Sequence, residues 1–93
     1  MNRSESDMHR PVTIVNELGL HARSAAKIAE VAQNARYKVW IARETEQVDA
    51  ASIIDLLTLG CTKGTEIVVH IENPADRPIL DQIINLVETG FGE

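Results

Sequence analysis

Aromatic residues are nearly missing from this chain: Tyr37, Trp40 and Phe91 are the whole set in 93 residues. Cations are also scarce, with 9 Lys and Arg against 14 Asp and Glu and a formal charge of −5. A nucleic-acid surface needs a clustered basic face, so that class is excluded. A single cysteine, Cys61, rules out an internal disulfide and fits a reducing, cytoplasmic setting. No apolar run approaches the length needed to cross a bilayer, so no membrane insertion is expected. Residues 1–10 have no apolar centre and read as a flexible polar lead-in rather than a signal peptide, with His9 solvent-exposed. Equally missing are a phosphate-cradling glycine loop, Cys/His metal spacing and a plausible Ser/His/Asp set. No metal, no cofactor and no self-sufficient enzyme site follow from that.

What remains is periodic. At this length the chain is one domain, set at residues 11–93. Val12 and Ile14 alternate in a first strand over 12–15, and Ala25, Ile28, Ala29 and Ala32 recur at helical spacing over 22–34. Val39 and Ile41 alternate over 37–43, and a weaker strand follows at 47–50. The turn between them, Glu44-Thr45-Glu46, has none of the Gly or Asn a tight hairpin favours. Ser52 caps a short helix over 52–59 with Asp55 at its third position, and Gly60 stops it. Ile67, Val69 and Ile71 alternate over 65–72. Leu80, Ile83, Ile84 and Val87 form the stripe of a last helix that starts at Asp76, holds Pro78 in its first turn and ends at Gly90.

The order βαββαβα predicts an α+β open-faced sandwich, a four-stranded antiparallel sheet with three helices on one face. The other face is expected to carry Val15, Trp40, Val68 and His70, either as a contact patch or as scattered surface residues. Cys61 reads as a packing residue and His70 as incidental.

The chemistry concentrates in Gly19-Leu20-His21-Ala22-Arg23-Ser24-Ala25, which joins the first strand to the first helix. His21 falls where the opening N–H groups of a helix lack internal partners and the helix dipole is positive. An anion on the imidazole would meet those donors, with the Arg23 guanidinium close by for phosphate oxygens. Neutral imidazole is a competent nucleophile near neutral pH, and a phosphorylated imidazole passes its phosphoryl group on readily. The pattern is that of a carrier.

This heptad closely resembles the active-site loop of HPr, the histidine phosphocarrier family of bacterial phosphotransferase systems, and the resemblance covers residues 11 to 92. A second family signature appears as Ser52-Ile53-Ile54-Asp55-Leu56-Leu57-Thr58-Leu59-Gly60, at the right distance from His21. The resemblance implies that the phosphoryl group rides on Nδ1 of His21, that Arg23 pairs with it, and that the backbone of Ala22, Arg23 and Ser24 helps bind it. It implies enzyme I as donor and an enzyme IIA-type acceptor. Ala22, Ala26, Ile53, Ile54 and Leu57 would form the docking surface, with some of the last three in the core. Ser24 stands where the family usually has proline; its hydroxyl would either help hold phosphate or loosen the turn.

Ser52 has two readings. One is the cap alone; the other, implied by the family, is regulatory phosphorylation by an HPr kinase that switches transfer off. Glu88-Thr89-Gly90-Phe91-Gly92-Glu93 and Asn16-Glu17-Leu18 are similar to regulatory and nitrogen-related (NPr-type) members. Glu30, Gln33 and Asp55 stand where sugar-transport members often carry lysines. A regulatory or nitrogen-related monomeric carrier is therefore expected, against a sugar-uptake HPr or an adaptor that acts by docking alone.

Overall fold

Alternation decides the sheet. In the computed structural model, which describes residues 8–93, four strands pair antiparallel: β1 (His9–Thr13), β2 (Val39–Arg43), β3 (Glu46–Asp49) and β4 (Glu66–Ile71), in the order β1-β4-β2-β3. Val12 lies opposite Ile67 and Ile41 opposite Val69. The period of two therefore puts Val12, Val39, Ile41, Ile67, Val69 and Ile71 on one buried face. Against that face lie α1 (Ala22–Ala32) and α3 (Arg77–Glu88), while the six-residue α2 (Ile53–Thr58) packs beside α1 and β3. Ala25, Ile28 and Ala32 from α1 meet Leu80, Ile83 and Val87 from α3 in a single core. The small residues of α1 let it lie close to its neighbours. The sandwich expected from the sequence is the one observed.

Several boundaries move, each for a visible reason. β1 begins at His9, not Val12, because β4 offers partners as far as His70, which pairs with His9. The two rings meet edge-on with centroids 5.6 Å apart. His9 and Arg10, expected in the lead-in, thus belong to the sheet, and Arg10 reaches Asp81 of α3 at 3.0 Å. The rest of that lead-in, residues 1–7, lies outside the described residues. Val15 falls past the end of β1 and contributes to a groove with Gly90 and Glu93 instead of the outer sheet face. Glu44 turns the β2–β3 hairpin by taking a left-handed φ of 54° itself, so Arg43 pairs directly with Glu46.

β2 starts at Val39, and the N–H groups of Arg36 and Tyr37 before it are taken elsewhere. Asp76, buried just before α3, accepts from Arg36 N–H at 2.8 Å and Tyr37 N–H at 2.9 Å. The α helix accordingly starts one residue later than expected, at Arg77, after a 3-10 turn over Pro74–Asp76 that Asn73 caps. Pro78 sits in its first turn, where its missing N–H is not needed.

α2 is too short to be stable alone. Ser52 Oγ accepts from Asp55 N–H at 3.2 Å at one end, and Arg43 Nη1 donates to Leu59 O at 2.7 Å at the other. Between them Leu56 is fully buried.

Asp76→Ala should leave two backbone donors without an acceptor and lower stability by about 3 kcal/mol. Urea unfolding measures it, and an unchanged midpoint would show that water replaces the carboxylate at no cost.

Candidate functional site

The chain that leaves β1 must turn sharply to enter α1, and Gly19 makes the turn at φ +65°. A Cβ there would stand 2.4 Å from Cys61 O and 2.9 Å from Thr62 Cα. Only glycine lets the loop press against the segment that follows α2. Leu20 N–H then donates to Cys61 O at 2.9 Å, and the Leu20 side chain enters the core. The Cys61 thiol is buried, and that burial pushes its pKa up, with the nearby Arg43 charge opposing and Glu46 adding to the rise. Such a thiol is unreactive, in keeping with its packing role.

His21 is the N-cap of α1, with extended φ −123° and ψ −177°. Its Nδ1 accepts from Arg23 N–H at 3.2 Å. In return its own N–H donates to Ser24 Oγ at 3.0 Å, and that hydroxyl bonds onward to Gly19 O at 3.0 Å. Side chain and backbone cap each other reciprocally. Ser24 is fully buried. Its hydroxyl faces back into the loop, so it neither holds an outer ligand nor loosens the turn; it fixes the loop where proline usually stands.

Ala22 and Arg23 are exposed, and among the described residues the Arg23 guanidinium has no hydrogen-bond or ion-pair partner. It is a planar cation one residue past the imidazole's neighbour, at the positive end of an 11-residue helix. Leu18, Ala22, Arg23 and Glu93 line a shallow depression around His21.

Two residues of the site escaped the sequence reading. Glu93 Oε2 lies 2.5 Å from His21 Nε2, and its Oε1 accepts from Asn16 Nδ2 at 2.9 Å. Asn16 is buried and donates from the same nitrogen to Gly19 O at 2.9 Å. The hydrogen bond from Asn16, then that from His21, holds the Glu93 carboxyl below its ordinary pKa. Glu93 is 77 residues from Asn16 in the chain, so no local pattern could connect them.

The apolar candidates on α2 are all outside the core. Ile54 is 74% exposed, Ile53 and Leu57 are exposed as well, and so is Leu18 at 69%. The expectation that some of Ile53, Ile54 and Leu57 are core is corrected. A helix of a turn and a half has one inward position, which Leu56 takes, and Leu59 fills the next. Ala26 is half-buried on α1. Ser52 stands at the start of α2 as its cap. Among the described residues no group of three or more His, Cys, Asp or Glu could hold a metal ion, and no helix is long and apolar enough to cross a membrane.

The fold and site together are those of a small α+β open-faced sandwich whose first helix is capped by a histidine, with an exposed arginine two residues on. Residues 8–89 match the family model described as the PTS HPr component phosphorylation site. The chain belongs to the HPr family and is a phosphocarrier protein rather than an enzyme. It is 35% identical over 86 residues to the phosphocarrier protein HPr of Cupriavidus necator, covering 92% of this chain and 97% of the relative. It is 37% identical over 83 residues to the phosphocarrier protein NPr of Escherichia coli K12, covering 88% and 92%. The crystal structure of HPr-C-His from Thermoanaerobacter tengcongensis superposes with a TM-score of 0.86 at 28% identity, over 91% of this chain and 96% of that one.

Gly19→Ala should cost at least about 2 kcal/mol, from left-handed strain and the clash with Cys61 and Thr62. Denaturant unfolding tests this, with the His21 amide resonance showing loop displacement; a parent-like midpoint would mean that the loop can simply lift away.

The depressed Glu93 carboxyl adds stability that is complete above its unfolded pKa and is lost as pH falls through the lower folded value. Between about pH 5 and pH 3, Glu93→Gln should therefore lose stability less steeply than the parent. Identical slopes would show that the Asn16 and His21 contacts do not persist in solution.

Proposed function

We propose that His21 accepts a phosphoryl group on Nδ1 from enzyme I and passes it to an enzyme IIA-type acceptor in the cytoplasm. The observation that carries this reading is the capping geometry. Nδ1 already faces a backbone N–H of the α1 N-terminus, so oxygens attached to it would fall among the N–H groups of Ala22, Arg23 and Ser24. The Arg23 guanidinium, without a partner among the described residues, adds charge-assisted contacts to those oxygens. Donor and acceptor proteins supply the remaining machinery.

The exposed apolar residues Ile53, Ile54 and Leu57 on α2, with Ala22 and Ala26 on α1, form the docking surface. Asp55, exposed in the first turn of α2, and Glu30 on α1 give this side an acidic character. That supports a regulatory or nitrogen-related branch over a sugar-uptake one, because rim charges set encounter rate and partner choice. The protein acts as a monomer. Ser52 Oγ sits at a helix N-terminus that would tolerate a phosphate, so an HPr kinase acting there would add charge to the docking helix without unfolding it.

Incubation with enzyme I and phosphoenolpyruvate should yield an acid-labile, base-stable phosphoprotein, and His21→Ala should abolish it. Arg23→Ala should keep the fold and slow transfer by about tenfold, the loss of roughly one charge-assisted hydrogen bond. Full labelling of His21→Ala would refute the assignment of the acceptor.

A further inference from the structure

The imidazole of His21 is held on both edges, and the two contacts demand the same tautomer. On one edge Nδ1 accepts from the peptide N–H of Arg23. A peptide N–H only donates, so Nδ1 carries no proton. On the other edge Nε2 faces the Glu93 carboxylate at 2.5 Å. An ionised carboxylate only accepts, so Nε2 carries the proton. Both side chains reach solvent in part, at 29% exposure for His21 and 19% for Glu93.

The carboxylate is itself fixed. Its second oxygen is bound by Asn16, whose nitrogen also anchors the carbonyl of Gly19 in the His21 loop. The backbone leading to it runs left-handed through Gly90 (φ 64°), Phe91 (59°) and Gly92 (74°). For Phe91 that conformation is strained, and such strain persists only where other contacts outweigh it. Here the Phe91 ring is buried in the core, and Lys27 Nζ donates to Phe91 O at 2.6 Å. The result is a chain reversal that delivers one carboxylate to one ring nitrogen.

We propose that Glu93 is a positioning residue that keeps the proton of His21 on Nε2 throughout the transfer cycle, leaving Nδ1 as the nitrogen that carries the phosphoryl group. The proposal rests on His21 being the acceptor. In the accepting step the Nδ1 lone pair forms the N–P bond while the bond from phosphorus to the donor's phosphorylated side chain breaks, its electrons leaving with the donor. The ring gains a positive charge with its proton still on Nε2, and the Glu93 carboxylate offsets that charge. In the giving step the N–P electrons return to Nδ1 and the neutral imidazole leaves. No proton is gained or lost by His21 in either direction. A neutral leaving group is the better one, and Glu93 ensures it is ready-made.

The test reads the ring nitrogens directly. In the full chain labelled with 15N-histidine, His21 should show a bare Nδ1 and a protonated Nε2. Glu93→Ala should shift both resonances towards a mixture of tautomers, slow phosphoryl transfer by about tenfold and allow some phosphate onto Nε2. Glu93→Gln keeps an acceptor oxygen, so it should restore the tautomer while transfer stays slower than in the parent. A parent-like nitrogen pattern in Glu93→Ala would overturn the proposal. Because the tautomer is read without any donor, failure of the parent to take phosphate on His21 would overturn the acceptor assignment alone.

Discussion

Every helix opens with N–H groups that its own turns cannot satisfy, and in α1 this unmet demand organises the whole working end of the molecule. The imidazole of His21 meets part of it through Nδ1, and the buried hydroxyl of Ser24 closes the reciprocal bond. The same donors that hold the resting imidazole in place are the ones an attached anion would use. On the proposed function, capping and phosphate binding would be one arrangement in two states, with little to move between them. That economy suits a carrier, whose charged and uncharged forms must both be recognised by partners.

The loop cannot hold this position unaided, and its support comes from two distant parts of the chain. The segment after α2 receives Gly19 at a distance no side chain permits and binds Leu20 through Cys61 O. Asn16 ties the loop to Glu93, and Lys27 ties the last turn back to α1. α2 is therefore joined to the His21 loop by backbone as well as lying beside it. Its exposed apolar side chains are placed on a firm base because Leu56 and Leu59 spend their whole surface on the core.

Much of this was legible in the sequence, and the limits follow from range. Alternation in β4 and the stripe of α3 are local periodic signals, and each element lies within a residue or two of where they put it. The Ser52 cap and the Gly60 stop are likewise local chemistry, and both are present. Where the sequence reading erred, a distant partner decided. Asp76 holds the Tyr37 N–H away from β2, and β4 recruited His9 and Arg10 into the sheet. Glu44 took a left-handed turn that its residue type does not advertise. The position of His21 could be read from its neighbours, whereas the contact with Glu93 depends on how a strained turn 72 residues away folds back.

The outer face of the sheet is the counterpart of all this. Trp40 lies there across from His70, with its indole N–H bonded to Glu72 at 2.9 Å and Lys38 over its ring at 5.5 Å. It is the only tryptophan, and the full thickness of the sheet separates it from α1, which His21 caps, and from α2. Its fluorescence is consequently a clean gauge of whether the fold is intact and is blind to what binds on the other side. Emission that stays constant while the loop is phosphorylated or a partner docks would separate global from local events in one cuvette, with no label added.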